Sequence, residues 1–348
     1  MRLCANGQFE GLQLVADRRA ISDLAHDLGD LAVADHPLAY LTTYRLGGPA
    51  SLFSRPKNVD ELLRIAQAVA GSSVPVLVLG RGSNLLIADA GFDGLVVSVA
   101  ELGDQFTVDD DRVTCSAGMQ LPVAARRSAA AALTGFEWAV GVPGSIGGAV
   151  RMNAGGHGSD IAACLIDVDL VDLTTAQLQR VPAGELGLRF RGSQIEQHQV
   201  VVRARIQLAH GSASDAEAEI SEIVRWRREH QPGGRNAGSV FVNPIPGQLS
   251  AGELIDRTGL RGTTIGGASV SQKHANFIQA IGDDTRAADV RALIELVRTR
   301  VESETGFRLR SEVRHVGFHD DAGDVESAAD RAVHVDAGHP VDSDRVDQ

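Results

Sequence analysis

Between Gly141 and Gly158 the chain places seven glycines and one proline in eighteen residues. A stretch so interrupted is expected to be too broken for a regular helix or strand, and it is too apolar for a solvated linker. What remains is an ordered loop of small residues lying against something flat. If that is a ligand ring, peptide groups and the Asn153 amide hydrogen-bond its edge. If it is a neighbouring sheet, the glycines are packing devices of a crossover. A second cluster, Gly80-Arg81-Gly82-Ser83-Asn84, comes after the apolar run Val74 to Leu79. Consecutive N–H groups at the end of such a strand form a nest suited to a pyrophosphate, although an ordinary tight turn uses the same residues. The apolar Leu85-Leu86-Ile87 next to it excludes the Rossmann fingerprint, and no Gly-Lys-Ser/Thr makes a Walker A loop. The chain holds 38 glycines in 348 residues, about 11% against roughly 7% in average proteins, and many of them cluster.

The rest of the chain reads as an irregular alternation of strands and helices. Short strands are expected at Ser51 to Pro56, Leu95 to Val99, Phe106 to Val108, Arg112 to Ser116, Leu165 to Leu173 and Val200 to Leu208. Asn58, with Glu61 three residues on, opens a helix whose apolar face is Leu62, Leu63, Ile65, Ala66 and Val69. Further helices are expected over Leu121 to Leu133, Ser214 to His230 and Thr285 to Glu304, and a closing strand over Phe307 to Phe318. Residues 1–35 show no clear period and read as an N-terminal extension. Residues 319–348, rich in Asp, Ala, Gly, Ser and His, read as an acidic disordered tail. A division near residue 210 separates a glycine-rich unit, 36–210, from an α/β unit, 211–318.

Charge and cysteines narrow the class. Lys and Arg number 33 against 45 Asp and Glu, a net charge of −12, which disfavours nucleic acid and anionic membrane surfaces. Cys4, Cys115 and Cys164 are odd in number and far apart, so they spell neither a disulfide framework nor a metal site, and a reducing, cytoplasmic setting is expected. No signal-peptide core opens the sequence, and nothing approaches the ~20 apolar residues of a membrane span. No nucleic acid, membrane or metal partner is expected.

Three later segments carry side chains for chemistry: Arg189-Phe190-Arg191-Gly192-Ser193, Gly238-Ser239-Val240-Phe241-Val242-Asn243-Pro244 and Arg310-Ser311-Glu312-Val313-Arg314. Singly each is weak, since an arginine or glutamate on a strand is commonly a solvated face. Together they supply a guanidinium, a hydroxyl and a carboxylic acid.

With Thr42-Thr43-Tyr44-Arg45-Leu46-Gly47-Gly48-Pro49-Ala50 ahead of them, the two glycine blocks resemble the FAD-binding half of the UDP-N-acetylenolpyruvoylglucosamine reductase (MurB) family. The likeness continues through Asn236 to Pro244, Ala251-Gly252-Glu253-Leu254-Ile255 and Gly267 to Phe277, and spans about residues 36–318. It implies an α+β protein: an FAD-binding domain of the vanillyl-alcohol-oxidase (PCMH) type in two α/β subdomains, then a C-terminal α/β substrate domain. It also implies FAD and NADPH as cofactors, and reduction of UDP-N-acetylglucosamine enolpyruvate to UDP-N-acetylmuramate in peptidoglycan precursor synthesis by a cytoplasmic monomer.

Residue by residue, the resemblance implies catalytic roles for Arg191, Ser239 and Glu312, the serine delivering a proton. Cofactor contacts are implied at Arg45, Gly47, Gly80, Arg81, Gly82, Ser83, Asn84, Leu85, Gly141, Pro143, Gly144, Ser145, Gly147, Gly148, Asn153, Ala154 and Gly155. Asn243 and Lys273 are the substrate candidates. The short interval from Arg191 to Ser239 resembles the shorter subclass lacking an extra tyrosine loop. Two departures stand out: Phe190 where the family usually has tyrosine, and Gly155-Gly156-His157-Gly158 where Gly-Ala-Tyr-Gly is usual. Two rivals are another FAD-dependent oxidase or dehydrogenase of the same fold acting on an alcohol or sugar, and a flavin-fold protein without catalysis.

Overall fold

Asp17 caps helix α1 (Arg18–Leu28) by accepting the Arg19 N–H at 3.0 Å, and Leu24 and Leu28, one turn apart, are buried beneath it. The computed structural model describes residues 17–318, so residues 1–16 and the acidic tail expected at 319–348 lie outside the described residues. Part of the N-terminal extension is thereby built into the first layer. Its second element, strand β1 (Ala32–Pro37), pairs antiparallel with β2 (Pro49–Ser54). Asn58 caps α2 (Val59–Val69) through the Glu61 N–H at 2.9 Å, and Leu62, Ile65, Ala66 and Val69 are buried beneath that helix. Strands β3 (Val76–Leu79) and β5 (Phe92–Ser98) complete a four-stranded sheet of order β1-β2-β5-β3, with β2 and β3 both parallel to β5. Between them β4 (Leu85–Ile87) leaves that sheet for the far end of the chain.

A five-stranded antiparallel sheet comes next, of order β9-β8-β10-β7-β6, from β6 (Phe106–Asp109), β7 (Arg112–Ser116), β8 (Leu165–Asp172), β9 (Gln177–Pro182) and β10 (Gln199–Gln207). Its core is closed by α3 (Leu121–Ala130), α4 (Ile146–Met152) and α5 (Ala213–His230). Helix α4 sits inside the glycine block, where no regular element is expected from the sequence. Its two internal glycines cost about 1 kcal/mol each in propensity. Burial of Ile146, Ala149 and Val150 offsets this, and Gly147 lies so near the sheet that a Cβ there would come within 3.0 Å of the Ala117 Cβ. Helix α5 places Ala216, Ile220 and Ile223 in this same core, although the sequence division near residue 210 groups it with the C-terminal unit.

The last core belongs to α6 (Ala251–Arg257), α7 (Ala287–Thr305) and a three-stranded antiparallel sheet of β11 (Thr264–Ile265), β12 (Ala268–Val270) and β13 (Ile278–Ala280). Tyr44, Leu46, Leu86 and Ala88 enter it from the first half of the chain. The Tyr44 hydroxyl donates to the Ile278 carbonyl at 3.1 Å, and the Asp89 carboxylate accepts the Ala287 and Ala288 N–H groups at the start of α7, at 2.8 and 3.1 Å. The closing segment is a strand only over β14 (Arg314–Val316), which pairs parallel with β4. Just before β14, Ser311 bridges Phe241 in antiparallel fashion. Among the described residues no helix is long and apolar enough to cross a membrane.

Candidate active site

The two glycine blocks meet. A Cβ built on Gly80 would lie 2.6 Å from the Ser145 Oγ, and one built on Gly144 would lie 3.7 Å from the Ser83 Oγ. Ser145 is the cap of α4, accepting the Gly148 N–H at 3.4 Å. Gly82, at φ +58, presses on the preceding segment so closely that a Cβ would fall 2.2 Å from the Leu41 carbonyl oxygen. Thr43, whose N–H donates to the Gly82 carbonyl at 3.2 Å, has a buried hydroxyl with no partner among the described residues. Side-chain-free backbone from two loops beside an unsatisfied buried hydroxyl fits the phosphate-bearing part of FAD.

The catalytic candidates converge on the same place. Asn84, which ends the first glycine loop, donates its Nδ2 to the Glu312 carbonyl at 2.8 Å, and its backbone carbonyl accepts the Arg314 N–H at 3.0 Å. The Glu312 N–H donates to the Val240 carbonyl at 2.7 Å, and the Val242 N–H donates to the Arg310 carbonyl at 2.9 Å. This antiparallel register sets Ser239 next to the residue paired with Glu312. From the other side the buried Asn276 amide holds the segment, accepting the Phe241 N–H at 2.9 Å and donating to the Phe241 carbonyl at 2.8 Å. Among the described residues the half-buried Ser239 hydroxyl has no hydrogen-bond partner, so it is available to a ligand.

Arg191 stands opposite, its Nε 3.6 Å from the Glu312 Oε2, with side chains 27% and 19% exposed. Burial raises the Glu312 carboxyl above its ordinary range, and the positive charges of Arg191 and Arg310 oppose that rise without cancelling it. The protonated form of this carboxyl is thereby favoured relative to an exposed glutamate, beside a fixed cation. The Phe190 ring, 52% exposed, packs on the Arg191 guanidinium with 5.1 Å from Cζ to ring centroid.

Several of the other expected positions make contacts within the protein. Both Asn153 amide hydrogens are taken by the protein, one by Asp160 and one by the Arg189 carbonyl. The backbone N–H of Ala154 donates to the Ala149 carbonyl and its carbonyl accepts from Ile161. A Cβ on Gly155 would strike the Ser159 carbonyl at 2.5 Å, one on Gly47 the Ile87 Cβ at 2.7 Å, and one on Gly141 the His157 ring at 3.2 Å. Gly147 packs on Ala117. Leu85 belongs to β4, in register with Arg314. Arg45, Arg81, Pro143 and Gly148 are exposed, and neither guanidinium has an ion-pair or hydrogen-bond partner among the described residues. The exposed Asn243 accepts the Ala251 N–H at the start of α6 at 3.1 Å, and the Lys273 amine donates to the Arg228 carbonyl. No hydrogen bond or ion pair among the described residues joins Asn243 or Lys273 to the group of Arg191, Ser239 and Glu312.

Arg151, Asn276 and Arg314 lie in segments singled out in the sequence, where none of them has a role of its own. Burial, then the charge of Arg314, pushes Arg151 down to about 10, and burial lowers Arg314. Burial thus disfavours the charged form of both guanidiniums, and the charge of Arg314 adds to the effect at Arg151. Only their three-dimensional proximity marks them, since they lie far apart in sequence. Asn276 shows a weak signal, a polar residue between apolar Ala275 and Phe277.

Family comparison matches residues 50–181 to the FAD binding domain and residues 230–316 to the C-terminal domain of UDP-N-acetylenolpyruvoylglucosamine reductase. A reductase of that name from Heliobacterium modesticaldum is 39% identical over 316 residues, covering 90% of this chain and 99% of the relative. One from Synechococcus sp. (strain CC9311) is 42% identical over 290 residues, 81% of this chain and 92% of the relative. The crystal structure of UDP-N-acetylenolpyruvylglucosamine reductase from Thermus caldophilus superimposes with a TM-score of 0.69 at 33% identity, covering 82% of this chain and 98% of that one. The likeness thus includes the FAD-binding fold and the C-terminal domain together.

Proposed function

The chain belongs to the UDP-N-acetylenolpyruvoylglucosamine reductase family, and on that premise we propose that Arg191, Ser239 and Glu312 hold the charge and deliver the proton in its reaction. The reaction is reduction of UDP-N-acetylglucosamine enolpyruvate to UDP-N-acetylmuramate, a step of peptidoglycan precursor synthesis. FAD, reduced by NADPH, supplies when bound the hydride that reaches the vinyl terminus of the substrate. Negative charge then develops on the adjacent carbon and spreads into the substrate carboxylate, and there the protein's help must be concentrated. The planar, permanently charged fork of Arg191 holds that carboxylate. Glu312, its carboxyl raised by burial, donates a hydrogen bond to the same developing charge. Ser239, its hydroxyl free of protein partners, protonates the carbon as general acid. The backbone of the Gly80–Asn84 and Gly144–Gly148 segments holds FAD, while Asn243 and Lys273 serve the UDP-sugar. A cytoplasmic monomer completes the reading, supported by the acidic charge balance and by two buried, unpaired cysteines, Cys115 and Cys164.

The observation that carries this reading is the 2.8 Å bond from Asn84 of the glycine loop to the Glu312 carbonyl, with the Glu312 carboxyl facing Arg191. It ties the cofactor loop to the acid and the guanidinium in one geometry. An alcohol or sugar oxidase has no evident need for the acid and hydroxyl beside that cation. Turnover with NADPH in deuterated water tests it: solvent deuterium should appear at the carbon next to the product carboxylate. NADPH consumption that does not depend on the enolpyruvyl ether would overturn it.

A further inference from the structure

Helix α4 ends on Asn153, whose backbone at φ 40 and ψ 57 is left-handed. Glycine takes that conformation without strain and asparagine tolerates it. The backbone alone therefore does not account for asparagine here, whereas its amide does. One Nδ2 hydrogen goes to the Asp160 Oδ2 at 3.0 Å, the other to the Arg189 carbonyl at 3.2 Å, and Oδ1 accepts the Ala162 N–H at 2.9 Å. The residue is 3% exposed. A carboxylate accepts and cannot donate, so Asp160 fixes which end of the amide faces it and thereby aims the second hydrogen at Arg189.

Arg189 is the foot of the turn that carries the proposed site arginine. It exchanges backbone hydrogen bonds with Gly192 at 2.9 and 3.1 Å, leaving Phe190 and Arg191 at the tip, with Arg191 at φ 56. A second strut comes from the same helix end, the Ser193 hydroxyl donating to the Arg151 carbonyl at 2.6 Å. The exposed Phe190 adds little packing at the tip, where Arg191 faces Glu312, so the backbone of the turn is held at its foot.

We infer that Asn153, its amide oriented by Asp160, is a positioning residue that sets the Arg191 guanidinium opposite Glu312. Through it the end of α4 governs how well the substrate carboxylate is held. The inference rests on the role proposed for Arg191.

Two variants test it. Asn153→Gly keeps the left-handed backbone and removes only the side chain. The exchange Asn153→Asp with Asp160→Asn preserves the pair and the Ala162 bond, but a carboxylate at 153 cannot donate to the Arg189 carbonyl. Four quantities are read: FAD affinity by fluorescence titration, flavin bleaching by NADPH, substrate affinity from the perturbed flavin spectrum, and substrate-driven flavin reoxidation. FAD affinity and bleaching should stay at the wild-type level. Substrate affinity should weaken, and reoxidation should slow by about ten-fold to a hundred-fold, the cost of a misplaced binding group. Wild-type substrate affinity and reoxidation in both variants would overturn the inference. Loss of FAD affinity together with slow bleaching would also overturn it, making Asn153 a cofactor residue. A wild-type protein that binds FAD and is reduced by NADPH yet ignores the enolpyruvyl ether would sink the reading of Arg191, and the inference with it.

Discussion

Replacing Glu312 by Gln isolates the acid. The backbone of residue 312 is held whatever its side chain, its N–H on the Val240 carbonyl at 2.7 Å and its carbonyl on Asn84 at 2.8 Å, and Gln keeps the volume. The variant should therefore fold and bind FAD. What it loses is a carboxyl raised by burial 3.6 Å from Arg191. An amide still donates a hydrogen bond but is a far weaker acid, so substrate-driven flavin reoxidation should fall by about 10²-fold, about 2.7 kcal/mol of transition-state stabilisation. The pH dependence carries the sign. A carboxyl whose folded pKa lies above its unfolded value contributes stability that is fully present below the unfolded value and is lost as pH rises through the folded one. The melting temperature of the Gln variant relative to wild type should accordingly rise between acidic and neutral pH. Reoxidation by the wild type should decline with pH above the raised value, and the variant should lack that limb. Stopped-flow reoxidation across pH, with thermal melts in the same buffers, measures both. A full-speed variant, or one that keeps the same alkaline limb, would refute the role given to Glu312.

Three further outcomes are expected. Ser239→Ala should leave flavin reduction by NADPH unchanged and slow reoxidation by about 10²-fold to 10⁴-fold, with little change in stability because the hydroxyl bonds nothing in the protein; stopped-flow of each half-reaction decides it. Gly80→Ala places a methyl 2.6 Å from the Ser145 Oγ, at the junction of the two loops, and should weaken FAD binding in a fluorescence titration. Asn276→Ala leaves the buried N–H and carbonyl of Phe241 without their side-chain partner and should cost roughly 2–4 kcal/mol in urea unfolding.

Much of this architecture is legible in the amino-acid sequence, for reasons that particular residues show. Asn58 and Glu61 announce the start of α2 because a cap is a local device, and the apolar run ending at Leu79 announces a strand because its composition is equally local. Helix α4 is hidden because its stability comes from the burial of Ile146, Ala149 and Val150 in the fold and from the Ser145 cap, and neither outweighs its glycines in a local reading. The packing of α5 is not legible because it shows an ordinary apolar stripe, and a stripe does not say which sheet it covers. At the site, Arg191, Ser239 and Glu312 can be named from their segments. The bond from Asn84 to Glu312 spans most of the chain and has no trace in either segment alone. The glycine-rich setting of Asn153 suggests a ligand for the flavin edge; that its amide binds Asp160 and the foot of the Arg191 turn is not legible there, because only the folded chain brings those partners near.

The most direct test tracks the flavin's visible spectrum in the purified, FAD-loaded protein under anaerobic conditions. NADPH should bleach the flavin band, and UDP-N-acetylglucosamine enolpyruvate added next should restore it promptly. Bleaching that this substrate fails to reverse, or no flavin band even after FAD is supplied, would contradict the account.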